Sequence, residues 1–236
     1  MKKICVFTGA GIDAESGIAT FRDVGDGLWY NYNVDEVATV EGWKKDPQKV
    51  HEFHNMLRAK LKNVEPNAAH KAIASLDEHF DVTVITQNVS DLQERSGSKK
   101  VLHLHGELYK SRSTLDPTLL YDCYEDIKDT DRCEKGSRLR PHTVLFGEFP
   151  YNIEESFLAL YKCDYLLIIG TSLNIGYTID MLKSVNSNTK IYYIDPKPSD
   201  ELKGFYIPIK YIKKKAVLGV TKVVAEIIKD NNEIKQ

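Results

Sequence analysis

The segment Ile4–Ala14, ICVFTGAGIDA, decides the fold because an apolar run leads directly into a glycine-rich turn. Ile4–Thr8 is typical of a buried parallel strand. The pattern GxGxxA, set by Gly9, Gly11 and Ala14, favours a tight turn, a close backbone approach to a pyrophosphate and close packing of a following helix. The free N–H groups at the start of that helix would attract the anion. We therefore predict a dinucleotide turn here, although the motif alone also fits an ordinary strand-to-helix turn.

Further apolar runs predict more strands of the same buried kind. They are Val82–Thr86, Val101–His105, Tyr165–Gly170 and Ile191–Asp195. Between them, apolar residues recur at helical spacing. The predicted helices are His51–Leu61, Asn67–His79, Ile153–Tyr161 and Val217–Ile228. Strands that alternate with helices indicate an α/β fold with a doubly wound, Rossmann-like parallel sheet.

Two polar stretches, residues 23–46 and 109–141, do not fit this alternation. Loops of this length are uncommon unless they are functional, so we interpret both as parts of a smaller inserted lobe rather than as long loops. The chain is predicted to be a single domain of residues 1–236. Its large lobe would comprise approximately residues 1–22, 76–106 and 142–236, and its small lobe approximately residues 23–75 and 107–141.

The composition excludes several classes of protein. The chain has 236 residues, 42% of them hydrophobic, and a net charge of -2, which fits one globular domain and argues against a nucleic-acid partner. Its four cysteines show no CxxC spacing and predict no disulfide framework. The apolar run near the amino terminus is too short for a signal peptide, and no run has the length of a membrane span. We expect a cytoplasmic protein with no membrane partner.

The chain resembles the sirtuins, the NAD-dependent protein deacylases, in five ordered blocks. Gly9–Asp23, GAGIDAESGIATFRD, is similar to the first sirtuin signature. The other blocks are Thr86–Leu92 (TQNVSDL), Leu104–Leu108 (LHGEL), Leu139–Glu148 (LRPHTVLFGE) and Gly170–Leu173 (GTSL), and Ile194–Ser199 resembles a nucleotide-contacting strand end. Five blocks in the same order are far more specific than any one of them.

The resemblance implies that the chain binds NAD. The residues implied to hold it are Gly9, Ala10, Gly11 and Glu15 in the first turn, Phe21 and Arg22 on a cofactor loop, Gln87, Asn88 and Ser90 beside the nicotinamide, and Gly170, Thr171, Ser172 and Asp195 around the nucleotide. The sequence itself fits Asp195 equally well as a turn residue before Pro196.

The resemblance also implies the catalytic and substrate-binding residues. His105 would be the general base, with Asn88 as a second catalytic residue, and histidine suits this role because its unperturbed pKa is close to neutrality. His103, two residues earlier on the same predicted strand, remains an alternative base. Phe146, Gly147 and Glu148 would border a groove in which an acyl-lysine peptide pairs as an extra strand.

One departure from the sirtuin pattern concerns metal binding. The family usually holds a structural zinc with two CxxC pairs, and the aligned positions here are Ser113, Asp116, Cys133 and Gly136. Cys133 and the nearby Cys123 make a poor tetrahedral site, so we predict that structural zinc is absent and that the chain has no metal site. The lobe would then be held by packing of Leu115, Leu119, Leu120, Tyr121 and Tyr124.

Other departures concern the chemistry. Ser90 replaces an aspartate that meets the nicotinamide carboxamide in the family, and losing that charge-assisted bond would cost about 1–2 kcal/mol. His54 and Leu57 stand where the desuccinylating branch has a tyrosine and an arginine, which favours a neutral acyl group; Arg58 would face about 100° away. Gly176-Tyr177 replaces a frequent Pro-Ala, and we assign it no role.

Three functions remain open at this point. The sequence favours an NAD-dependent protein-lysine deacylase, which cleaves the nicotinamide–ribose bond and transfers the acyl group to ADP-ribose. The alternative is an NAD glycohydrolase or ADP-ribosyltransferase that uses the same NAD site. A non-enzymatic NAD-binding module is the third, and the presence of both Asn88 and His105 argues against it.

Overall fold

The computed structural model describes residues 1–19 and 32–234. The strands are β1 (Lys3–Thr8), β2 (Asp81–Thr86), β3 (Val101–His103), β4 (Gly106–Ser113), β5 (Leu120–Asp122), β6 (Leu139–Thr143), β7 (Tyr165–Ile169), β8 (Lys190–Ile194) and β9 (Ile209–Ile212). The α-helices are α1 (Val34–Val37), α2 (Val40–Lys45), α3 (Pro47–Leu61), α4 (Ala68–Ser75), α5 (Leu92–Arg95), α6 (Ile153–Lys162), α7 (Gly176–Leu182) and α8 (Ala216–Ile234).

The main sheet is parallel and has the order β3-β2-β1-β7-β8-β9. The chain builds outward from β1 to β3 on one side and from β7 to β9 on the other, so the strand order reverses between β1 and β7. In register, Thr8 lies between Thr86 of β2 and Ile169 of β7. In doubly wound sheets ligands bind beyond the carboxyl ends of the strands at such a switch point.

Both faces of this sheet are buried, because consecutive strand residues point to opposite sides. Val6 belongs to a core that includes residues of α4 and α8, whereas Phe7 belongs to a second core that includes residues of α6 and α7. Every residue of β7 is buried. This two-sided burial is why the strands appear in the sequence as continuous apolar runs.

A second, antiparallel sheet has the order β5-β4-β6. Helix α3 contacts it through polar side chains: Arg58 Nε donates to the carbonyl oxygen of Leu108 at 3.0 Å, and His51 Nε2 donates to that of Leu139 at 3.1 Å. Gly106 begins β4 with a φ of +83°, and a Cβ there would lie 2.0 Å from the carbonyl oxygen of His142. Glycine is therefore required where the chain leaves the main sheet for the small one.

The predicted α/β class, parallel strands and four helices are confirmed, with differences in detail. The predicted strand Val101–His105 ends at His103, because the chain turns into β4. The glycine turn leads into two short 3-10 turns, Ala10–Ile12 and Ala14–Ser16, so the predicted α-helix after it is wrong. Strand β9, helix α7 and the small sheet were not predicted. The limits of the two lobes remain a prediction.

The predicted apolar packing of the small sheet is also wrong. Leu115 is 68% exposed, Leu120 43% and Tyr124 57%. Polar side chains are buried there instead, among them Arg112 and Arg140. Across residues 1–19 and 32–234, no helix combines the length and the apolar character that a membrane span requires.

Candidate active site

The glycine turn meets the loop after β7 backbone to backbone. Gly11 N–H donates to the carbonyl oxygen of Gly170 at 2.8 Å, and Gly9 N–H donates to that of Ile169 at 3.0 Å. A Cβ on Gly11 would lie 2.6 Å from the Cα of Gly170, and Gly170 has a φ of +57°. Only glycine allows this approach, which leaves a cradle without side chains at the switch point.

Gln87 connects this cradle to His105. Thr171 Oγ1 donates to Gln87 Oε1 at 2.7 Å, so the side chain of Gln87 reaches the loop after β7. The backbone carbonyl of Gln87 accepts a hydrogen bond of 2.8 Å from His105 Nδ1. Gln87, which directly follows β2, therefore contacts both Thr171, a predicted nucleotide-binding residue, and His105, the predicted base.

His105 has a defined tautomer, because a carbonyl oxygen can only accept. Its Nδ1 must carry the proton that is donated to Gln87, which leaves Nε2 of the neutral ring with a lone pair. Nε2 lies 2.6 Å from the hydroxyl of Tyr177. Burial lowers the pKa of His105, and the bond to Gln87 only partly opposes this. A neutral imidazole with a free lone pair is the form that a general base needs.

His103 has the opposite arrangement. Its Nδ1 faces the carbonyl oxygen of Asn88 at 2.9 Å, and its Nε2 faces Glu94 Oε1 at 2.7 Å. Burial lowers the pKa of His103, but the hydrogen bond and charge of Glu94 outweigh it, and the net pKa is raised. Both ring nitrogens are donors to fixed acceptors, so neither is placed to accept a proton from a substrate.

Asn88 and Ser90 are held by the glycine turn. Asn88 Nδ2 donates to the carbonyl oxygen of Gly9 at 3.1 Å, and Ser90 Oγ donates to Asp13 Oδ2 at 2.7 Å. The other oxygen of Asp13 accepts a bond of 3.0 Å from His70 Nε2. Asp13 is only 3% exposed. A buried carboxylate therefore lies next to Ser90, although Ser90 itself carries no charge.

Two of the residues predicted to contact the nucleotide, Glu15 and Asp195, form hydrogen bonds within the protein. Glu15 Oε2 accepts a hydrogen bond of 2.8 Å from Val217 N–H in the first turn of α8. Asp195 Oδ1 accepts one of 2.7 Å from Lys197 N–H, as a turn residue would. Ala10 begins the first 3-10 turn, and Ser172 is half-buried in the loop after β7. Phe21 and Arg22 lie outside the described residues.

The segment predicted to border the peptide groove combines exposed and buried groups. The ring of Phe146 is 60% exposed, while its N–H donates to the carbonyl oxygen of Ala38 at 2.8 Å. Gly147 follows with a φ of +99°. Glu148 Oε1 pairs with Arg112 at 2.8 Å and with Arg140 at 2.7 Å. Glu148 thus holds the small sheet together, and Phe146 presents its ring to solvent.

The region aligned with the zinc site is occupied by hydroxyl groups and an ion pair. Ser113 and Ser137 are joined by a hydrogen bond of 2.7 Å, and Cys133 Sγ lies 3.2 Å from Ser137 Oγ. Hydrogen bonds from these two serines lower the pKa of Cys133 to about 7. Asp116 pairs with Lys135 at 2.7 Å. Among residues 1–19 and 32–234, no group of three or more histidine, cysteine, aspartate or glutamate side chains is placed to hold a metal ion.

Helix α3 shows what its departures from the desuccinylating branch do. His54 is buried, and its Nε2 lies 2.9 Å from Thr143 Oγ1. Leu57 is half-buried in a small apolar cluster. Arg58 is buried and donates to Leu108 and, at 2.6 Å, to Asn55 Oδ1. The guanidinium of Arg58 is thus committed to the interface between α3 and the small sheet.

Three contacting residues were not predicted from the sequence. Asp13 and His70 form the cluster with Ser90, and Tyr177 bonds to the predicted base. An acidic residue inside a glycine turn was a visible signal for Asp13. The change from Pro-Ala to Gly176-Tyr177 was the signal for Tyr177, because it introduces a hydroxyl beside a predicted site.

The reversal of strand order and the glycine contact beside it place the protein in the class of Rossmann-like, dinucleotide-binding folds. Residues 9–176 match the model of the Sir2 family. This match extends over more than half of the chain, and the chain belongs to the Sir2 family. The resemblance to sirtuins found in the sequence is thereby confirmed.

Relatives and solved structures agree with this assignment. An NAD-dependent protein deacylase of Helicobacter pylori is 44% identical over 97% of this chain and 98% of its own length. One of Bacteroides thetaiotaomicron is 47% identical over 85% of this chain and 88% of its own length. A Sir2 homologue mutant in complex with ADP-ribose has a TM-score of 0.87 at 33% identity, with 97% of this chain and 93% of that chain covered. A Sir2 homologue complex with NAD has a TM-score of 0.84 at 33% identity, with coverage of 98% and 91%.

Proposed function

We propose that the protein is an NAD-dependent protein-lysine deacylase, which transfers the acyl group of an acyl-lysine protein or peptide to ADP-ribose. The observation that carries the proposal is His105, a neutral histidine with Nδ1 fixed by Gln87 and Nε2 left as an acceptor. Its connection through Gln87 to the glycine cradle supports a base placed beside a bound dinucleotide.

The residues present fit NAD. Gly9, Gly11 and Gly170 pack so closely that a Cβ on any of them would clash, and their N–H groups already donate to backbone carbonyls. This contact brings the two turns together at the switch point, where doubly wound folds bind a dinucleotide. Ala10, Thr171 and Ser172 line the same turns. Glu15 and Asp195 would contact the riboses only by giving up or sharing their present backbone partners. NAD supplies the nicotinamide–ribose bond that is broken.

The role of His105 is to take a proton from a ribose hydroxyl. A proton accepted at Nε2 makes the ring an imidazolium, and Nδ1–H keeps its bond to the carbonyl of Gln87. The lowered pKa of His105 keeps the ring neutral and ready near neutral pH. Asn88, tied to Gly9, would hold the nicotinamide-side ribose against this base.

The acyl-lysine substrate would lie along the segment of Phe146, Gly147 and Glu148. The exposed rings of Phe146 and Phe149, 60% and 92% exposed, offer an apolar surface to a peptide. Because Arg58 is buried and donates to Leu108 and Asn55, it does not present its guanidinium to a negatively charged acyl group. We therefore propose a neutral acyl group.

Ser90 does not remove the carboxylate from this region. Its hydroxyl donates to the buried side chain of Asp13, so an acidic residue lies one side chain away. This arrangement supports turnover in spite of the change at position 90. We further propose that structural zinc is absent and that the protein works in the cytoplasm without a nucleic-acid or membrane partner; its four free thiols fit a reducing compartment.

The test is nicotinamide release from NAD with and without an acetyl-lysine peptide. We expect peptide-dependent release that falls by about 10²–10⁴-fold in His105→Ala, the contribution of a positioned base. His79→Ala is the matched control, because His79 lies just before the amino end of β2, at the opposite edge of the sheet. Nicotinamide release at the same rate with and without the peptide would instead establish the glycohydrolase or transferase. If no nicotinamide is released under either condition, an enzymatic function is contradicted.

A further inference from the structure

The hydroxyl of Tyr177 occupies the one nitrogen of His105 that a substrate needs. It lies 2.6 Å from Nε2, and the two rings meet edge to face with centroids 6.3 Å apart and an interplanar angle of 89°. Nδ1 is already engaged by Gln87. Both ring nitrogens of His105 therefore have partners in this structure. Of the two hydrogen bonds, only the bond to Tyr177 can be replaced by a bond to a substrate.

The direction of this hydrogen bond follows from the other one. Because Nδ1 carries the proton, Nε2 accepts and the phenol of Tyr177 donates. Burial raises the pKa of Tyr177, so its hydroxyl keeps its proton near neutral pH. The phenol is a permanent donor to Nε2, and donation to the neutral ring disfavours its protonation.

Helix α7 holds Tyr177 in this place. Tyr177 is the second residue of the helix, and the same turn is fixed by Thr178 Oγ1, which donates to the carbonyl oxygen of Ile175 at 2.6 Å. Met181 and Leu182 anchor the helix in the core beneath the sheet. Gly176, by contrast, has open space around it. Tyr177 is thus held by a helix that is anchored in the core, and the open space at the first residue of this helix leaves room for small movements of the phenol.

We propose that Tyr177 is a positioning residue for the base: its hydroxyl holds Nε2 of His105 as a neutral acceptor and is displaced by the ribose hydroxyl of the substrate. This proposal rests on the proposed function. When the ribose hydroxyl takes over, its O–H bond breaks and an N–H bond forms at Nε2, which gives the imidazolium. Tyr177 withdraws with its own proton and exchanges none.

Two opposite effects of Tyr177 follow. Its donation favours the neutral ring and extends activity to lower pH, and its presence competes with the ribose hydroxyl. Within the described residues no charged side chain contributes to the pKa of His105, which responds to burial and to the carbonyl of Gln87. Glu94, the nearby carboxylate, bonds to His103 instead. Tyr177 is therefore the titratable group in direct contact with this base.

The experiment compares the pH profile of kcat/KM for NAD in wild type and Tyr177→Phe. We expect the acid limb to move to higher pH, because the pKa of His105 rises without the donor. Above that limb kcat/KM should rise about tenfold, the factor that one neutral hydrogen bond contributes. The matched control is Tyr206→Phe, since Tyr206 also donates to backbone carbonyls next to α7, those of Lys183 and Val185, without touching His105.

A second readout does not depend on turnover. The imidazole nitrogen resonances of His105, followed by NMR against pH, should show a higher pKa in Tyr177→Phe and no change in Tyr206→Phe. If wild type releases no nicotinamide, the proposed function fails and this titration still decides the role of Tyr177. An unchanged titration, or a kcat/KM that falls at every pH because the phenol relays the proton, would overturn the proposal.

Discussion

The main parallel sheet and the small antiparallel sheet are stabilised in different ways. In β7 of the main sheet every residue is buried, and the four residues Leu166–Ile169 have wholly apolar side chains. In β4 of the small sheet the buried residues include Arg112 and Ser113, whose side chains bond to Glu148 and Ser137. The first sheet depends on apolar burial, and the second depends on whether its polar groups are paired. A substitution should therefore act by different rules in the two sheets.

The largest effect is expected for a cavity in the main sheet. Phe7 is fully buried, and Phe7→Ala should lower the free energy of unfolding by about 3–5 kcal/mol, measured by urea denaturation. Leu120→Ala in the small sheet is the control and should change it by less than about 0.5 kcal/mol, because Leu120 is 43% exposed. Similar losses in both variants would abolish the distinction between the sheets.

The next effect concerns the ion pairs of the small sheet. Arg140→Met removes one of the two guanidinium partners of Glu148 and should cost about 2–3 kcal/mol, since it leaves a partly buried charge less well paired. The double variant Arg140→Met/Glu148→Gln should be less stable than Arg140→Met alone, because the buried Arg112 then also loses its carboxylate partner. If the double variant is the more stable of the two, pairing is not what holds this sheet.

The same pair gives a pH dependence. Burial raises the pKa of Glu148, but the charges of Arg140 and Arg112 and the hydrogen bonds from Arg140 and Leu145 N–H together outweigh it, and the net pKa is lowered. A lowered pKa contributes stability that is present above the ordinary range of glutamate and is lost as the pH falls through the lowered value. Arg140→Met should therefore lose less stability than wild type between neutral and acidic pH.

The smallest effect on stability is expected in the polar cluster of Asp13, Ser90 and His70, which is an exception to the apolar burial of the main sheet. Asp13 accepts hydrogen bonds from Ser90 and His70 while buried. In a double-mutant cycle of Asp13→Asn and Ser90→Ala, we expect the two losses of stability to be non-additive by about 1 kcal/mol, since both remove one hydrogen bond. Additive losses would show that Ser90 and Asp13 act separately.

The parallel strands could be predicted because strands buried on both faces appear as apolar runs. The small sheet could not, since its buried residues are polar and find partners far along the chain: Arg112 pairs with Glu148, and Ser113 bonds to Ser137. The spacing of apolar residues along the chain gives no sign of such pairs. For the same reason, packing of Leu115 and Leu120 was expected where both are exposed.

The site was predictable in its location but only partly in its contacts. The ordered blocks predicted His105 and Asn88 as site residues, and in the structure Asn88 bonds to Gly9 and His105 bonds to Gln87. The sequence favoured His105 over His103 only through the Gly-Glu that follows it, and the partners that distinguish the two histidines, Tyr177 and Glu94, became visible in the structure. Tyr177 lies 72 positions from His105, so no local pattern could connect them.

The bond between Glu15 and Val217 has a consequence for how the protein is made. Glu15 leaves the ribosome before its partner, which follows 202 positions later. The apolar side chains of α8, among them Val220 and Val223, also cover Ile4 and Ile12 on either side of the glycine turn. The nucleotide turn is thus translated early and completed late, and a growing chain acquires its finished dinucleotide cradle only after residue 217 has emerged.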